Sequence, residues 1–142
     1  MSNLDIAKNR LFEKDLTLVI VKNGKVLFET ASHRISGFLS AIGQLGSKLE
    51  GAALADRVVG KAIALLCVYA DIHQVYAEVL SKKAKKVFEK GGIRSEWKRL
   101  VDNILDLKLS SVCPFEKAAA EISEPEAAYA AFKELELSFK DG

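Results

Sequence analysis

Three short stretches of the chain hold the residues best suited to chemistry. The first is Cys113-Pro114-Phe115-Glu116. A residue before proline is pushed out of helical conformation, so Cys113 is expected in a loop at a helix start. A thiol there has a lowered pKa and raised reactivity. Glu116, three residues on, is of the right type to act as an acid or base. Cys113 and Glu116 are therefore the candidate catalytic pair, although no histidine lies near Cys113 in sequence to serve as its base. The plainer alternative is a buried thiol beside a helix cap, with Glu116 satisfying the helix dipole.

The second stretch is Asp56 to Lys61. Asp56 precedes the apolar run VVGKAIALLCVYA and is expected to be its N-cap. As a functional group it would orient Lys61 or act as a base. Gly60 would let a ligand approach the backbone closely, unless it only serves helix packing. Lys61 places a cation in the first turns of a helix, against the dipole, which is mildly informative; the plainer alternative is an exposed lysine near a helix start. In the third stretch, Ser81 is expected to cap a helix and Lys82 follows it. Asp56, Gly60, Lys61, Ser81, Lys82 and Pro114 are the candidate ligand-binding residues.

The surrounding pattern supplies elements to position them. Leu4, Ala7, Leu11 and Phe12 recur at helical spacing. LTLVIVK (16–22) and KVLFET (25–30) flank Asn23-Gly24, the strongest short hairpin signal. A helix opens at Gly37 and ends at Gly51. The run after Asp56 is apolar nearly all round and should be a core helix. Val75–Leu80 reads as a strand, then a lysine-rich helix stops at Gly91-Gly92. Ile93–Lys98 is expected to be a strand, and Leu100–Leu107 fits either a helix or a strand. Ser123-Glu124-Pro125-Glu126 has the form of a helix start, with Ser123 as cap and Pro125 in the first turn. The order predicts one α/β domain over residues 1–142: a mixed sheet opened by a hairpin and covered on both faces, three layers in all. Residues from Ser123 on look like a helical extension.

Composition excludes several classes. The chain has 142 residues, 49% hydrophobic, and a formal charge of +2. That is enough apolar residue for a core, and too little basic excess to expect nucleic-acid binding. Two cysteines far apart suggest neither a disulfide framework nor a zinc site. Met1–Asp15 lacks the apolar core of a signal peptide. The longest apolar run, Ala62–Ala70, is too short to span a bilayer. A cytoplasmic protein with no membrane partner and no cofactor is expected.

The segments LADRVVGKAIALL (54–66), VYAEVLSKKAKKVFEKGGI (75–93) and CPFEKA (113–118) resemble, in their spacing, a family of uncharacterised small prokaryotic proteins. This family is a domain of unknown function with a cytidine-deaminase-like fold. The resemblance implies a three-layer α/β/α domain in which two helix starts converge. In zinc deaminases those starts carry His (or Cys)-x-Glu and Pro-Cys-x-x-Cys, which hold a metal that activates water. Here they read Val59-Gly60-Lys61 and Ser81-Lys82-Lys83-Ala84. With the ligands gone, a zinc deaminase is not expected. Two helix starts with Lys61, Ser81 and Lys82 would instead suit a phosphate. The resemblance thus implies a site for a phosphorylated, nucleotide-like molecule of the ADP-ribose kind. The competing expectation is a non-catalytic interaction or regulatory protein with a degenerate site. A homo-oligomer would be unsurprising in either case, and Tyr129 and Phe132 on the last helix are its candidate contact surface.

Overall fold

The computed structural model describes residues 1–32, 35–102 and 113–141. Its elements are α1 (Asn3–Glu13), β1 (Leu18–Lys22), β2 (Lys25–Thr30), α2 (Ser36–Leu45), β3 (Ala53–Val59), α3 (Lys61–Tyr69), β4 (Gln74–Ser81), α4 (Lys82–Gly91), β5 (Arg94–Val101), α5 (Cys113–Ala120) and α6 (Pro125–Asp141). The five strands form one sheet in the order β2-β1-β3-β4-β5.

The hairpin forms where Asn23-Gly24 predicts it. Both turn residues have positive φ, 53° and 75°, which suits a tight antiparallel return. β1 then pairs antiparallel with β3, while β3–β4 and β4–β5 are parallel. Each parallel step needs a crossover, and α3 and α4 supply them. The sheet is mixed, as expected.

Alternation along the strands separates two cores. Val19, Val21, Ala53, Ala55 and Tyr76 face α1 through Leu4, Ala7 and Leu11. Leu18, Ile20, Leu54, Val75 and Ala77 face the larger core with α2, α3, α4 and the C-terminal helices. α3 is the centre of that core: Ala64, Leu66 and Cys67 are fully buried. It packs against α4, α5 and α6 as well as the sheet, which is why its sequence is apolar all round. β5 forms one edge of the sheet, and Arg94, Glu96, Lys98 and Arg99 are exposed along it.

Several sequence expectations are corrected. Asp56 does not cap a helix. Residues 53–59 are a strand paired on both sides, to β1 and to β4, and α3 begins only at Lys61. The strand wins because two neighbours supply ladder partners that local propensity cannot anticipate. β5 runs on to Val101, so Leu100 belongs to a strand; residues 103–107 lie outside those described. Helix α5 includes Cys113, so the backbone before Pro114 is already helical at the first position; the Cys113 side chain is outside the described set. The last helix starts one residue later than a Ser123 cap requires, with Pro125 first and the Glu124 carbonyl accepting from the Ala128 N–H at 3.0 Å. Proline there loses no hydrogen bond.

The last helix, expected as an extension, packs on α3 and α5. Ala128 and Phe132 are fully buried. Phe132 meets the Phe115 ring edge-on at 5.9 Å, and Tyr129 stacks on Tyr69 at 4.4 Å. Both aromatics expected at a self-association surface are committed within the chain. None of the described helices is long and apolar enough to cross a membrane.

Candidate functional site

The parallel register fixes where the two central helices start. Val59 of β3 lies beside Leu80 of β4. Gly60 and Ser81, the next residues, are therefore neighbours at the carboxyl ends of adjacent strands. In open α/β sheets this end is where ligands bind. Each helix leaves unpaired main-chain N–H groups at its first turn and a partial positive charge there.

The two starts satisfy those groups differently. Ser81 is 2% exposed, and its Oγ accepts from the Ala84 N–H at 3.0 Å. This is the cap expected from sequence. Gly60 has no side chain to offer and α3 has no local cap. The missing acceptor comes from α5: a Glu116 carboxylate oxygen accepts from the Ala62 N–H at 2.9 Å. The Lys61 amide stabilises the same charge, with the Lys83 and Lys61 ammonium groups nearby. Burial pushes the Glu116 carboxyl above the usual glutamate range, against the pull of those amides and lysines.

Gly60 is required for this contact. A Cβ built on it would fall 2.6 Å from Glu116 Cδ, well inside contact distance. The glycine does admit a close approach to the backbone, as expected, but the group that approaches belongs to the chain itself. Glu116 does serve a helix dipole, that of α3 rather than of its own helix. Sequence reasoning could not pair residues 60 and 116, which lie in separate segments.

The remaining candidates are placed as follows. Lys61 Nζ donates to the Ala120 carbonyl at 3.3 Å, tying α3 to the end of α5. Lys82 pairs with Asp102 just beyond β5 at 2.6 Å, an exposed pair of small energetic weight. Pro114 is half-buried in the first turn of α5. Asp56 lies within β3, four residues before Gly60, and does not orient Lys61. Desolvation pushes its carboxyl up to about 7, against stabilising bonds from the Arg57 and Val58 amides. Its charge also reaches buried Cys67, whose thiol is pushed well up, first by burial. Cys67 is thus an inert core residue, as expected. His73 is exposed, and His33 is outside the described residues.

One positioning residue was missed. Arg57 anchors β3 just before the site. Its guanidinium pairs with Glu78 at 2.7 Å and Asp15 at 3.2 Å, donates to the Leu11 and Leu16 carbonyls, and lies over the Phe12 ring. This hub fastens the end of α1 to the strand that delivers Gly60. An arginine within a short, otherwise largely apolar run was the available signal.

The donor set does not fit a zinc ion of the deaminase type. Such a site needs about three thiolate, imidazole or carboxylate ligands. Among the described residues the two helix starts offer amides, a hydroxyl and lysines; Glu116 is held by α3 and Asp102 is paired with Lys82. Among the described residues no three His, Cys, Asp or Glu side chains group as metal ligands.

These features define a three-layer α/β domain in which two helix starts lie side by side, one capped by Ser81 and the other by Glu116. The chain belongs to a family still described as a domain of unknown function, TM1506 (DUF1893), whose model matches residues 6–135. It is similar in structure to the DUF1893 family protein TM1506 from Thermotoga maritima, with 27% identity, 94% of this chain and 90% of that one covered, and a TM-score of 0.81. It is also similar to dCMP deaminase from the cyanophage S-TIM5, at 14% identity, with 70% and 94% covered and a TM-score of 0.49. A third similar structure is a diaminohydroxyphosphoribosylaminopyrimidine deaminase/reductase from Thermotoga maritima, at 18% identity, with 71% and 33% covered and a TM-score of 0.46. No curated protein matches the chain.

Proposed function

We propose that the protein binds a small phosphorylated, nucleotide-like molecule at the carboxyl ends of β3 and β4. One observation carries the reading: an anion already lies there. The Glu116 carboxylate rests on the α3 amides between Lys61 and Lys83, as a ligand phosphate would. The raised Glu116 carboxyl makes its charged form the less comfortable one. A phosphate with stronger acceptor oxygens displaces it, and Glu116 then becomes free beside the ligand as an acid or base. Gly60, Lys61, Ser81 and Lys82 would contact the phosphate. Pro114 and Cys113, at the start of α5, would border it, with Cys113 as the candidate nucleophile. Asp56 lies deeper, below the α3 start.

The same observation favours a second reading, in which Glu116 is a permanent plug and the chain is a non-catalytic interaction protein. Thermal shift with inorganic phosphate, AMP and ADP-ribose separates the two. Binding predicts a higher melting temperature for wild type, a larger rise for Glu116→Gln, and a smaller one for Lys61→Ala. If no ligand raises the melting temperature of wild type or of Glu116→Gln, the binding reading fails and the plug stands. Alkylation of Cys113 followed by mass spectrometry tests the thiol role: protection by a bound ligand is expected, and equal labelling with and without ligand refutes it.

A further inference from the structure

We infer that the cleft between α3, α4 and the start of α6 is a separate binding site for a small organic anion with an apolar body, an aryl or short alkyl group bearing a carboxylate, phosphate or sulfonate. The cleft has a volume of about 330 Å³, within the range of small-molecule pockets. Its floor is apolar, formed by Leu65 and Val68 of α3 and Val87 of α4. Its rim carries three ammonium groups, Lys61, Lys86 and Lys90, against one carboxylate, Glu124.

The charge arrangement is what selects the ligand. Lys86 and Lys90 are one helical turn apart and lie on one face, where like charges weaken a helix. Both are exposed, and neither has an ion-pair partner among the described residues. The other lysines of α4 differ. Lys82 pairs with Asp102, Lys85 pairs with Glu89 and lies over Trp97, and the Lys83 charge lowers the Glu116 carboxyl against the effect of burial. Two lysines of α4 without an ion-pair partner among the described residues thus stand together beside an apolar depression. An inorganic ion would leave the floor exposed, and a neutral apolar molecule would leave the lysines repelling one another. An anion with an apolar body answers both. The site is distinct from the amides held by Glu116, and only Lys61 borders both.

Titration of the folded full-length chain with 8-anilinonaphthalene-1-sulfonate, followed by fluorescence well below the melting transition, tests this. One saturable site is expected. Lys86→Glu combined with Lys90→Glu should weaken it at least tenfold, and uncharged 1-anilinonaphthalene should bind at least tenfold more weakly than the sulfonate. Val87→Phe, which fills the floor while keeping every charge, should also abolish it. Glu116→Gln should leave it unchanged, which separates this site from the one proposed above. Unsaturable binding overturns the inference. So does a loss under tenfold on charge reversal, equal binding of the uncharged analogue, or full binding by Val87→Phe.

Discussion

Helices α3 and α4 begin side by side on neighbouring strands, yet one start is closed from within and the other from a distance. Ser81 caps α4 three residues from the amide that donates to it, through a neutral hydroxyl that moves with the helix. The α3 start depends on Glu116, 54 residues further along the chain and on another helix. A local cap forms whenever its helix forms. A distant one exists only while α5 is docked. The first is a fastening, and the second is the contact that the proposed ligand would displace.

The largest effect should come from undocking the distant cap without touching it. Phe132→Ala removes a fully buried ring that holds Phe115, next to Glu116. It should cost about 3–5 kcal/mol in urea unfolding. Amide exchange at Ala62 should accelerate more than at Ala84.

The pH response should also divide the two starts. Asp56 and Glu116, both on the α3 side, are held above the ordinary carboxylate range, Asp56 at about 7. Below the unfolded pKa both states are protonated and stability is complete. As pH rises, the unfolded chain releases these protons first, so stability falls and the loss is finished once pH passes the folded values. Stability should therefore decline from about pH 4 to about pH 7. Asp56→Asn should flatten most of that decline, on the order of 4 kcal/mol at pH 8. Urea midpoints across this range measure it, and Ser81→Ala should leave the slope as in wild type.

Smaller effects come from removing the caps themselves. Glu116→Ala leaves two α3 amides without their acceptor and should cost about 1–3 kcal/mol. Gly60→Ala should cost a similar amount by expelling the carboxylate, and the two costs should not add in a double-mutant cycle. Ser81→Ala should cost about 1 kcal/mol. If Ser81→Ala proves the more damaging, the contrast between the two starts is wrong.

What could be read from the sequence follows the same division between near and far. The hairpin at Asn23-Gly24, the Ser81 cap, the stop at Gly92 and the buried character of α3 are each decided within a few residues, and each was legible. Asp56 misled because an acid before an apolar run looks like a cap. Only pairing with β1 and β4, which no local pattern shows, makes it part of a strand. Lys61 was recognised as unusual, but its use of the Ala120 carbonyl was hidden. The Glu116–Gly60 contact was missed for the same reason, since nothing near either residue names the other.

The charged side chains along β5 bear on how copies of this protein meet. An unpaired strand invites another strand to join, and rows of arginine, lysine and glutamate on it make that addition unfavourable. Among the described strands, growth of the sheet from that side into fibrils or swapped ribbons is thereby discouraged.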